Sequence, residues 1–219
     1  MDVVFVANAM IIVSICSLLI NNVVAANVSN SSRELKALTD FGWPYINSTA
    51  HHCNWKDITC NEHGRVAQIS LQSRSLRLNI SYLDPLIFTS LTSIHLTACG
   101  LYGAIPPQIG YLSNLSYLNF SHNQLNSQLP LSLANLSELR VLDISDNYIY
   151  GSIPPDIGSL SNLTHLNFSH NNLDSMFPLS MANLSELHVL DISNTYGIYG
   201  VIPPQMGSLS KLTYLNFVW

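Results

Sequence analysis

One feature outweighs all others in this chain, a period of 24 residues. Leu91, Leu115, Leu139, Leu163, Leu187 and Leu212 recur at steps of 24, 24, 24, 24 and 25. Three residues after each stand Ile94, Leu118, Leu142, Leu166, Leu190 and Leu215, and five after stand Leu96, Phe120, Ile144, Phe168, Ile192 and Phe217. At the eighth step come Cys99, Asn123, Asn147 and Asn171, then Leu101, Leu125, Ile149 and Leu173. Pro106, Pro130, Pro154, Pro178 and Pro203 close the units. A coil this short cannot bury its own apolar side. Stacked coils share one continuous core, so the period specifies a solenoid.

Each unit has two kinds of local chemistry. The apolar residues at offsets three and five alternate with polar ones, which is the pattern of a short strand with one buried face. The Gly and Pro that follow turn the chain and prevent a longer strand. The eighth-step Asn falls inside the coil. A buried amide must be hydrogen-bonded, so Asn123, Asn147 and Asn171 are expected to form a structural ladder on turn backbone. Cys99 takes the same place and is expected to be a buried, inert thiol. A 48-residue period overlies the short one: residues 115–162 and 163–210 match closely. An extra residue around Asn194–Ile198 leaves Thr195 at the ladder position, where a local bulge is expected.

Upstream the pattern decays. Val66, Ile69, Leu71, Leu76 and Ile80 keep the offsets, so 66–90 reads as a degenerate first coil followed by five units over 91–211 and a truncated unit over 212–219. Ser31-Ser32-Arg33-Glu34 reads as a capping box opening a helix over 32–41, with Gly42 and Pro44 as the stop. Residues 27–65 would then cover the open end of the stack.

Charged residues make up only 10% of the chain, against about 25% in a typical soluble domain. Leu (33), Ser (29) and Asn (22) dominate instead. So much Leu excludes a disordered tail. A net charge of −5 without a Lys/Arg cluster excludes nucleic acid as a partner. Val3–Ile20 is apolar except for Asn8, Ser14 and Ser17, and Val24-Ala25-Ala26 follows. Residues 1–26 therefore read as a secretory signal peptide, with a retained anchor as the alternative because the run nears the span of a membrane helix. No further membrane span is expected.

Secretion suits ten Asn-x-Ser/Thr sequons, at Asn27, Asn30, Asn47, Asn79, Asn114, Asn119, Asn135, Asn162, Asn167 and Asn183. It also suits Cys53 and Cys60, which one disulfide can join in an oxidising compartment. A metal site with His51, His52 and His63 is the competing reading, but the Cys-x₂-Cys spacing of zinc sites is absent. No metal, cofactor or catalytic residue is expected.

Leu-x-x-Leu-x-Leu-x-x-Asn-x-Leu-x-Gly-x-Ile-Pro is similar to the plant-type leucine-rich repeat. His51 to Cys60, followed by Gly64-Arg65-Val66, resembles the N-terminal cap of plant receptor-like kinase ectodomains. The resemblance implies an α/β repeat: a parallel inner sheet, a helical N-terminal cap, short 3-10 or irregular outer segments, and a second small sheet beside each Gly-x-Ile-Pro turn. It further implies an extracellular or cell-surface protein that binds a peptide or protein on the inner face, with a receptor kinase as co-receptor. No kinase motif occurs in the 219 residues, and the chain stops inside a strand at Trp219. A truncated fragment is therefore one alternative. A secreted inhibitor or decoy similar to polygalacturonase-inhibiting proteins is another.

The residues between the buried strand positions face the inner surface. At offset two stand Ser93, Tyr117, Val141, His165, Val189 and Tyr214. At offset four stand His95, Asn119, Asp143, Asn167, Asp191 and Asn216. Of these, Tyr117, Asn119, Val141, Asp143, His165, Asn167, Asp191 and Tyr214 are the candidate ligand contacts. Seven rungs about 4.8 Å apart span about 29 Å, room for eight or nine residues of extended peptide. Asp143 and Asp191, two rungs or about 10 Å apart, approach the separation of inverting glycosidase carboxylates, but duplication already explains the pair. His122 and His170 read as exposed turn residues.

Overall fold

The computed structural model describes residues 30–47, 49–72, 76–200 and 202–217. The expected leader over 1–26, the sequon Asn27 and the terminal Trp219 lie outside them. Helix α1 covers 30–41. It is followed by β1 (Ile58–Cys60), β2 (Val66–Gln72), β3 (Ser93–Thr97), β4 (Tyr102–Gly103), β5 (Tyr117–Asn119), β6 (Gln124–Leu125) and β7 (Val141–Asp143). Then come β8 (Tyr150–Gly151), β9 (His165–Asn167), β10 (Asn171–Met176), β11 (Val189–Asp191), β12 (Thr195–Tyr199) and β13 (Tyr214–Asn216).

The inner sheet runs β1-β2-β3-β5-β7-β9-β11-β13. β1 is antiparallel to β2, and every later pair is parallel. The register repeats the sequence period: Leu118 faces Leu142, Leu142 faces Leu166, and Leu166 faces Leu190. Inward-pointing Ile94, Leu118, Leu142, Leu166 and Leu190 are all fully buried. Their outer counterparts arrive on short 3-10 turns, such as Leu131–Asn135 and Leu179–Asn183, which bury Leu133 and Met181. Prolines immediately before these turns leave the chain extended, with φ −67° at Pro130 and −65° at Pro178.

The smaller sheet exists in two pieces, β4-β6 and β12-β10-β8. It takes strands from units lacking Gly-x-Ile-Pro as well, because β6 and β10 belong to them. The extra residue near Asn194 is absorbed as a slip in the β10–β12 register between Asn171 and Asp174. Thr195 is buried there, and its hydroxyl donates to Ile192 O.

Every rung of the Asn ladder is hydrogen-bonded through both ends of its amide. Asn123 Nδ2 donates to Leu96 O (2.7 Å) and Phe120 O (2.8 Å), while Oδ1 accepts from the amides of Cys99 and Leu101. Asn147 and Asn171 repeat the donor side and accept through Oδ1 from one amide each, Leu125 N and Ile149 N. Cys99 is buried outside any disulfide, with Sγ donating to Leu71 O.

The capping box requires correction. Ser31 is already helical, and its hydroxyl bonds His51 Nε2. Glu34 does not fold back on the helix; it is fully buried against the first rung. Arg65 Nε donates to Oε1 at 2.8 Å and Val66 N to Oε2 at 3.1 Å. A buried carboxylate persists only with such partners. Buried His52 stands with Nε2 3.4 Å from Oε2 without forming a hydrogen bond. Cys53 and Cys60 are joined, with Cα atoms 5.4 Å apart, and Trp43 and Trp55 pack into the same core.

Candidate functional site

From β3 onward the strands of the inner face are only three to five residues long, so each rung presents two outward side chains. Lateral pairing puts them in columns. Tyr117, Val141, His165, Val189 and Tyr214 form one; Asn119, Asp143, Asn167, Asp191 and Asn216 form the other. All eight candidate contacts therefore share one surface. His165 and Tyr214 are exposed, and Tyr117, Val141, Asp143, Asn167, Val189 and Asp191 are partly so. Asn119 differs, at 8% exposed. The Tyr117 ring stacks on His95 at 5.8 Å.

The second column has a local role that the repeat alone did not disclose. Four of its five side chains accept through Oδ1 from the backbone N–H and hydroxyl of the Ser two residues on. This holds for Asn119 with Ser121, Asp143 with Ser145, Asn167 with Ser169 and Asp191 with Ser193. Such an Asx turn ends the strand. The signal was legible as Asn/Asp-x-Ser at fixed offsets. Thr97 extends it by donating to Asn119 Oδ1 at 3.1 Å.

The remaining carboxylate oxygens meet neutral donors. Asn119 Nδ2 approaches Asp143 Oδ2 at 3.5 Å, and Asn216 Nδ2 and Tyr214 Oη lie 3.3 Å from Asp191 Oδ2. Burial pushes the Asp191 pKa up. The hydrogen bonds from Ser193, Asn216 and Tyr214 together outweigh it and hold the carboxyl below its ordinary value. Neither Asp143 nor Asp191 has a cationic partner among the described residues.

The other candidates separate from this face. His122 and His170 are exposed in a column of left-handed residues, Ala98, His122, Asp146, His170 and Asn194, with φ between 52° and 57°. His122 Nδ1 lies 3.2 Å from Asp146 Oδ2. His51, His52 and Cys53 bring ligand atoms within 4.8 Å of one another. The Cys53 sulfur is bound to Cys60, and His51 Nδ1 accepts from Cys53 N, so this donor set is already engaged. His63 stands beside Glu62, exposed.

The sequons fall into two groups. Asn114, Asn135 and Asn183 are exposed and Asn162 is partly so, all outside the inner strands. Asn47 is exposed, with Oδ1 held by Thr49, Asn79 caps the turn at Ile80–Tyr82, and Asn30 is part-exposed in α1. Asn119 and Asn167 are strand-ending Asx residues on the inner face. A recess of about 580 Å³ lies elsewhere, between α1 and the turn after Ile80, and is lined by Arg33, Lys36, Tyr82 and Leu86.

A family profile for leucine-rich repeat regions matches residues 74–219. The receptor-like serine/threonine kinase RGI4 of Arabidopsis thaliana is 34% identical over 86 residues, 39% of this chain and 8% of that protein. The plant peptide hormone receptor RGFR1, solved in complex with RGF2, superposes with a TM-score of 0.70 at 32% identity, over 75% of this chain and 25% of that one. The ectodomain of the Arabidopsis receptor kinase SOBIR1 superposes with a TM-score of 0.69 at 26% identity, over 80% of this chain and 97% of that one. The chain thus spans a small fraction of the kinases it resembles and about the extent of one short ectodomain. Among the described residues no helix is long and apolar enough to cross a membrane. Matched over two thirds of its length by the repeat profile, the chain belongs to the leucine-rich-repeat family and is built like a plant receptor-kinase ectodomain.

Proposed function

We propose that this chain is an extracellular recognition module that binds an extended peptide along its inner sheet, without catalysis of its own. Residues 27–65 serve as its cap and 66–219 as its reading surface. A separate receptor kinase would supply signalling as co-receptor. One observation carries the reading: five adjacent rungs present Tyr117, Val141, His165, Val189 and Tyr214 on one open face, beside Asp143 and Asp191, which have no cationic partner among the described residues. A shelf of aromatic and branched side chains with sparse charge suits a ligand held in extended form. The superposition on a peptide hormone receptor supports it.

The test is hydrogen exchange on the intact chain with a pool of secreted peptides. Protection should fall on β5, β7, β9 and β11, and Tyr117→Ala with His165→Ala should weaken binding about tenfold or more. Protection confined to α1 or the outer turns would overturn the assignment.

A further inference from the structure

The two-coil duplication writes a second spacing onto the inner face. Rungs carry Tyr117/Asn119, Val141/Asp143, His165/Asn167, Val189/Asp191 and Tyr214/Asn216 in turn. Aromatic rungs with a neutral amide thus alternate with valine rungs bearing a carboxylate. Adjacent rungs lie about 4.8 Å apart, so like rungs recur every ~9.6 Å. A peptide crossing the rungs in polyproline II form rises ~3.1 Å per residue with three residues per turn, so side chains i and i+3 point the same way ~9.3 Å apart. The two lengths agree.

The charges are discrete. Asn119 and Asn167 flank Asp143; Asn167 and Asn216 flank Asp191. Both carboxylates are part-exposed and lack a cationic partner among the described residues. Had every rung carried Asp, a basic ligand would slide without register. With Asn between them, the two Asp set one register only.

We propose that the ligand is a basic peptide in polyproline II form with Arg or Lys at positions i and i+3, which pair with Asp143 and Asp191. The residues between rest against Val141, His165 and Val189. This deepens the peptide-binding reading above and depends on it.

The protein supplies its own control. Asn already ends the neighbouring strands through the same bonds to Ser that Asp143 and Asp191 make. Asp143→Asn with Asp191→Asn should therefore keep the fold and remove only charge. Both changes create Asn-Ile-Ser sequons, so wild type and variant must be made in a host that does not N-glycosylate. A random nine-residue peptide library is panned against each.

Peptides retained by the wild type should show basic pairs at a separation of three about fivefold or more over separations of two or four. That preference should vanish on the double variant. Enrichment without a preferred separation, or a preference that survives the substitution, overturns the spacing rule. Exchange protection of β7, β9 and β11 by such peptides would then show that the peptide-binding reading itself stands. Peptides that protect none of these strands overturn both.

Discussion

The cap and the solenoid solve one problem by opposite means. Both must satisfy polar groups inside an apolar core. The cap buries a full charge, Glu34, and matches it with Arg65 and Val66 N. The solenoid buries neutral amides, Asn123, Asn147 and Asn171, on backbone groups. A motif that recurs every ~4.8 Å cannot use ions, because like charges would stack upon each other in a low dielectric. An amide carries donor and acceptor together and can be copied without limit. A cap occurs once, so a unique pair of opposite charges serves there.

The comparison breaks or sharpens under substitution. The largest effect belongs to the cap: Glu34→Ala strands Arg65 and the Val66 amide and should cost about 3–5 kcal/mol in urea unfolding. A loss below 1 kcal/mol would mean that the ion is not what joins α1 to the first rung. Next stands Asn147→Ala, which strips partners from Leu125 N, Phe120 O and Ile144 O. About 2–3 kcal/mol should be lost, read by the same titration. Reducing the Cys53–Cys60 bridge should cost about 2 kcal/mol, since the loop it closes is short. Calorimetry under reducing conditions measures it, and exchange should quicken in 43–60 before the solenoid.

Smaller still is the acid response of the inner face. The Asp191 pKa is lower in the folded chain than the usual 3.8. Its stabilisation is therefore complete above that value and disappears as pH falls through the folded value. The part-exposed site limits this to under about 1 kcal/mol. Asp191→Asn should flatten that limb of a pH–stability curve. Finally, glycopeptide mapping should find glycans at Asn114, Asn135 and Asn183 and none at Asn119 or Asn167. Occupied Asn119 would place a sugar across the proposed peptide path.

Legibility followed repetition. Leu91 through Leu212 announced the coils, and Asn123, Asn147 and Asn171 announced the ladder, because a period repeats its own evidence at each turn. The shared inner face of Tyr117, Asp143, His165 and Asp191 followed from offsets alone. Glu34 was misread because the capping box is a local rule, whereas its partners Arg65 and Val66 lie about thirty positions away and occur once. The Asx role of Asn119 was masked by the sequon it also spells. The division of the small sheet depends on hydrogen bonds between two-residue strands, too short for a pattern.

The ladder also has a direction. Asn147 Oδ1 accepts from Leu125 N and its Nδ2 reaches Phe120 O, both in the coil before it. Asn123 and Asn171 reach backward in the same way. Each coil is thus fastened by its successor and gives nothing forward through this link. At Thr195 the hydroxyl bonds Ile192 O within its own coil, so the fastening stops. The stack behaves as a zipper with a missing tooth, in which a defect loosens what precedes it and a thermal opening that begins after Thr195 has one less barrier to cross.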